Sequence, residues 1–90
     1  MVNPRVDSIT VSKTTAQVGD SIDVDLIITN LDSDSGMIRV GFDDILNGAR
    51  VGGRSMITSI GPNETIGVGW EGYTLRYAGT HQICGYAEPY

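Results

Sequence analysis

Between Ser21 and Thr29 the chain reads Ser-Ile-Asp-Val-Asp-Leu-Ile-Ile-Thr, with an apolar side chain at every second residue. Residues two apart on an extended chain share a face. Ile22, Val24, Leu26 and Ile28 therefore line one side, and Asp23, Asp25, Ile27 and Thr29 the other. A helix would scatter the same residues around its axis. Only a strand with one face in a core uses this pattern, and Gly19-Asp20 before it and the polar stretch Asn30 to Gly36 after it bound its length.

The same period of two recurs from Met37 to Phe42, which places Ile38, Val40 and Phe42 on one face, and Arg5 to Val11 reads as a further strand carrying Val6, Ile9 and Val11. Asn47-Gly48 is the residue pair of a tight hairpin turn whose two central residues both take positive φ. Gly52-Gly53 predicts another bend ahead of a strand over Arg54 to Ile60. In Gly61-Pro62-Asn63-Glu64 the proline presets φ and the asparagine tolerates the left-handed region, so a turn is expected there. Thr65 to Glu71 alternates again, with Ile66, Val68 and Trp70 inward and Trp70 expected against Leu26, Val40 and Ile83. Tyr73 to Tyr77 reads as extended, and a last strand runs from Thr80 to Ala87. No window has helical periodicity. The expectation is an all-β fold: a single antiparallel β-sandwich of six to seven strands, one domain over residues 1–90.

Several of these features together resemble a known family. They are Val18-Gly19-Asp20, the Ile22 to Ile28 alternation closing on Thr29-Asn30, and Ile60-Gly61-Pro62-Asn63-Glu64-Thr65 with Val68 and Trp70. Gly79-Thr80-His81-Gln82-Ile83 and Ala87-Glu88-Pro89 complete the set. The pattern looks like the cell-adhesion-related domain of bacteria and archaea, an immunoglobulin-like sandwich of surface proteins. The resemblance implies an immunoglobulin-like fold, an extracellular or cell-surface location, and a role in adhesion or spacing. Tyr77 to Ile83 also resembles the corner leading into an immunoglobulin F strand, with His81 where a tyrosine is expected and Ile83 where a cysteine is. The family pattern continues past Ala-Glu-Pro into one more strand, whereas this chain ends at Tyr90.

Composition excludes several functions. The 90 residues carry six Lys and Arg against eleven Asp and Glu, a net charge of −5, which disfavours nucleic acid and anionic membranes as partners. One cysteine precludes an internal disulfide and a multi-cysteine zinc site. No apolar run approaches the roughly 20 residues of a membrane helix, so no membrane insertion is expected.

Candidate chemistry is sparse. Gly67-Val68-Gly69-Trp70-Glu71-Gly72 spells G-x-G-x-x-G, but a phosphate-binding turn must open a helix, and this string lies within a strand. No cofactor and no small-molecule substrate are expected. Asp32-Ser33-Asp34 has the alternating carboxylates of a calcium loop, yet the glycine and glutamate of such a loop are replaced by Ser35 and Gly41. A solvated turn is the better reading, with a sandwich-loop calcium site as the alternative. His81 and Cys84, three apart on a strand, face opposite ways and cannot act as base and nucleophile to each other. No enzyme is expected. Arg50 and Arg54, flanking Gly52-Gly53, form the only local positive cluster; a solvated hairpin is the better reading, with an acidic surface rather than nucleic acid as the alternative partner. Asn63-Glu64-Thr65 is a glycosylation sequon, though the turn already accounts for Asn63.

What remains is a protein partner or self-association. A strand ending near Ala87 with no further strand beside it exposes an edge that can template another chain. Nothing from Gln82 to Tyr86 blunts that edge. Gln82, Cys84, Tyr86 and Tyr90 are therefore candidate partner-binding residues, completed in trans, unless β-strand Arg5 to Val11 or the C-terminal tail covers the edge within the chain. Gly67 and Gly69 leave an outward face bare, which either admits another backbone or marks a weak strand. The functional expectation is a non-enzymatic surface module, with a subunit or decoration protein of a virion or filament as the alternative.

Overall fold

The computed structural model describes residues 1–13 and 17–90. They form six strands: β1 (Pro4–Val11), β2 (Ser21–Asn30), β3 (Gly36–Leu46), β4 (Ala49–Ile60), β5 (Thr65–Thr74) and β6 (His81–Pro89). The strands make two three-stranded antiparallel sheets, ordered β1-β2-β5 and β4-β3-β6. The all-β expectation holds, and no helix occurs among the described residues.

Alternation explains why β2 and β3 sit at the two centres. Ile22, Val24, Leu26 and Ile28 face Ile38, Val40 and Phe42, and each is at most 3% exposed. Fully burying such a side chain stabilises the fold by roughly 1.5–3 kcal/mol, so these two rows hold the sheets together. Phe42 meets Trp70 and Tyr73 edge-on, with ring centroids 5.5 and 5.1 Å apart. Trp70 is only half-buried. It spans the two halves of the core, and its ring partner is Phe42, a contact the strand pattern had not singled out.

Two turns take the predicted form. Asn47 and Gly48 have φ of 53° and 80°, and Asn63 has φ of 54°. Glu64 fastens the second turn, its carboxylate accepting from the Gly61 amide at 2.7 Å.

Other boundaries differ. Gly52-Gly53 makes no turn: β4 runs unbroken from Ala49, and the irregularity is a bulge that leaves Val51 without a partner between Asp44↔Gly52 and Ile45↔Arg50. β3 continues past Phe42 to Leu46, and β6 continues past Ala87 to Pro89, because the two pair without a break from Ile38↔Pro89 to Leu46↔His81. Tyr73 to Tyr77 is extended only as far as Thr74. Buried Leu75 then ties the chain to the turn before β2, accepting from the Gly19 amide and donating to the Asp20 carbonyl.

Each inward row ends on a polar residue. Asn30 continues the β2 row and is fully buried. Its Oδ1 accepts from the Asn3 and Asp32 amides, and its Nδ2 donates to the Asp34 and Gly61 carbonyls. One amide thus closes that end of the sandwich with four bonds to backbone. Asp44 continues the β3 row at the opposite end.

Candidate functional site

Asp44 is 2% exposed, and an ionised carboxylate so buried needs partners. It has two. Tyr73 donates its hydroxyl to Asp44 Oδ2 at 2.7 Å, and His81 Nδ1 lies 2.5 Å from Asp44 Oδ1. The other ring nitrogen of His81, Nε2, lies 2.8 Å from the Tyr77 carbonyl oxygen. Both nitrogens therefore face acceptors, and only the imidazolium can donate to both. The Tyr77 carbonyl first, and the Asp44 carboxylate second, raise the His81 pKa above its ordinary value. Burial, reinforced by the hydrogen bond to Asp44, pushes the Tyr73 phenol up to about 12. His81 is a partly buried strand residue bonded to a loop carbonyl. Asp44 and Tyr73 were not anticipated. The signal was present in the period of two, since Ile38, Val40 and Phe42 lead next to Asp44.

Beside this network the two sheets part. A cleft of about 220 Å³ is lined by Arg50, Gly52, Arg54, Tyr73, Arg76 and Tyr77, among others, with Asp44 at its floor. Arg50 donates to Asp43 at 2.8 Å. Arg54 lies with its guanidinium 5.1 Å from the centre of the Tyr73 ring and donates to the Gly53 carbonyl. The arginine cluster read from Arg50 and Arg54 exists, and Arg76 joins it.

The other expected site is the edge of β6, which among the described residues pairs with β3 alone. The Tyr90 amide donates to the Met37 carbonyl at 3.0 Å, and the register is constant from Ile38↔Pro89 to Leu46↔His81. In an antiparallel ladder hydrogen-bonded pairs alternate with non-bonded ones. Glu88, Tyr86, Cys84 and Gln82 therefore bond to β3, while His81, Ile83, Gly85 and Ala87 direct their backbone groups to the free edge. Pro89 has the same parity and no N–H to offer. The amides of Gln82 and Cys84 thus face β3, and their neighbours carry the backbone groups of the free edge.

Their side chains are exposed on the outer face, opposite to His81. Tyr86 is also on that face, but it is half-buried and leans back across β3. A Cβ at Gly41 would come within 2.9 Å of its ring. Tyr90 sits under the Arg39 guanidinium, 5.6 Å from ring centre. Neither ring reaches over the free edge. Gly85 points inward, where a Cβ would approach Leu26 to 2.7 Å, so the bare backbone lets the sheets close. Gly67 and Gly69 lie opposite Ile27 and Asp25. The Ile27 side chain lies 3.5 Å from where a Gly67 Cβ would be, and Asp25 crosses Gly69, so neighbours of the same sheet lean over the two glycines on a face that stays exposed.

Among the described residues no group of three or more His, Cys, Asp or Glu is placed to hold a metal. The Asp32 carboxylate instead accepts from the Asp34 amide at 2.9 Å, shaping the turn. No family model, curated protein or solved structure matches this chain.

Proposed function

We propose that this protein is a non-enzymatic structural module that joins protein to protein, and that the joint is the free edge of β6, occupied by β6 of a second copy. The observation that carries this reading is regularity. β1, β5 and β4 each border a ladder with a register shift, whereas β6 pairs with β3 without one. Bulges and charges protect sheet edges from pairing; from Gln82 to Ala87 β6 has neither.

The free amides of His81, Ile83, Gly85 and Ala87 are symmetric about Cys84. A two-fold antiparallel pairing that uses all four on each strand sets Ile83 against Gly85 and His81 against Ala87. It brings Cys84 beside its own copy as a non-bonded pair, with Cα atoms about 4.5 Å apart, within disulfide range. Gln82 then lies beside Tyr86, and no like charges oppose each other.

The sandwich is read as immunoglobulin-like, in line with the resemblance to cell-adhesion-related domains. A surface adhesion or spacer role, or alternatively a place in a virion or filament, is the setting in which such a joint is used. The non-enzymatic reading is supported by the Asp44 network, where His81 commits both ring nitrogens to acceptors and Cys84 faces away.

Sedimentation from low to several hundred micromolar tests the joint. A reversible dimer is expected, weakened by Ala87→Pro, which deletes one free amide without touching a bond to β3. Mild oxidation should trap the dimer through Cys84. A monomer throughout, or a dimer indifferent to Ala87→Pro, would overturn the reading.

A further inference from the structure

Of the five arginines, Arg5, Arg39 and Arg50 are paired with Asp7, Glu88 and Asp43. Arg54 and Arg76 have no carboxylate partner among the described residues, and both line the cleft beside Asp44. On a chain of net charge −5, two uncompensated guanidiniums at one opening are a concentrated positive feature. His81 and Asp44 cancel within the network, as do Arg50 and Asp43, so the cleft carries the charge of Arg54 and Arg76.

The geometry points to a binding site for a carboxylate presented by an acidic peptide segment. Guanidinium forks match the two oxygens of a carboxylate edge to edge. Arg54 is held ready by its position over Tyr73, so less side-chain freedom is lost on binding. A cleft of about 220 Å³ admits a side chain rather than a folded domain. An acidic segment also gains contacts from the residues flanking its carboxylate, which free phosphate lacks. Gly52 keeps the wall open, since any side chain there would run into the Tyr73 hydroxyl.

Titration of the protein with a glutamate-rich hexapeptide, followed by amide chemical shifts, tests the site. Shifts should concentrate at Gly52, Gly53 and Thr74 and weaken with added salt. Arg76→Gln, an exposed loop change, should weaken binding by about tenfold or more, the loss expected when a charge-assisted pair is removed. Arg54→Lys, which keeps the charge and loses the fork, should weaken it as well, while Arg5→Gln should not. Inorganic phosphate at equal concentration should compete poorly. Tighter binding of phosphate than of the peptide, or peptide binding unchanged in Arg76→Gln and Arg54→Lys, would overturn the assignment.

Discussion

The two central strands solve the same problem at opposite ends of the sandwich, and they solve it differently. β2 ends its inward row on Asn30, a neutral amide whose four bonds all go to backbone. β3 ends its row on Asp44, an acid that must import a cation and takes His81 from β6. The amide closes its end completely: turns and N-terminal segment converge on one side chain. The acid closes its end with charge, leaves a cleft lined by arginines, and makes that end dependent on protonation. A buried polar residue can thus be a plug or a site, according to whether its partners are backbone or ionisable side chains.

Removing the acid should break this comparison most severely. Asp44→Ala leaves His81, whose side chain is 8% exposed, without its counter-ion and strips Tyr73 of its acceptor. Removing one partner of a buried ion pair costs about 3–5 kcal/mol, readable by urea unfolding. Asn30→Ala should cost less, about 1–3 kcal/mol for stranded backbone groups that water can partly reach. Equal losses would show that charge adds nothing at the Asp44 end. Gly85→Ala, midway along β6, drives a methyl toward Leu26 and should cost about 1–3 kcal/mol from overpacking.

Acidity separates the ends in a gentler way. The folded-state pKa of His81 is raised, so its contribution is complete below the unfolded value near 6.5 and is lost as pH rises through the folded value. Melting temperature should therefore fall with rising pH from that point, and His81→Gln should flatten the slope. Tyr73, raised to about 12, adds a further loss between its ordinary value near 10 and that point. Asn30 does not titrate, and an Asn30→Ala variant should keep the wild-type pH slope. A wild-type melting temperature constant from pH 6 to 9 would contradict the charged network.

Much of the fold was legible in the period of two. The buried rows of β2 and β3, the Asn47-Gly48 turn and the Gly61 to Glu64 turn follow from residue type and spacing alone. Gly52-Gly53 misled because two glycines in a strand signal either a turn or a bulge, and pairing with β3 decides between them. The Asp44 network was harder to see. His81 and Asp44 are far apart in sequence, and only the register Leu46↔His81 brings the imidazole beside the acid. The direction of the β6 amides was invisible for a similar reason. Parity along a strand shows which side chains share a face, but which amides bond to the neighbour depends on register.

β6 joins the two ends, anchored by His81 at one and finished by Pro89 at the other, and the regular edge between them is where the proposed joint lies. Amide hydrogen exchange along residues 81–88, measured in dilute and in concentrated solution, tests this most directly. In dilute solution Gln82, Cys84, Tyr86 and Glu88 should be protected by β3, while Ile83, Gly85 and Ala87 exchange freely. Concentration should then slow those three selectively. Protection of Ile83, Gly85 and Ala87 already in the dilute monomer, or exchange that stays fast at every concentration, would contradict the account.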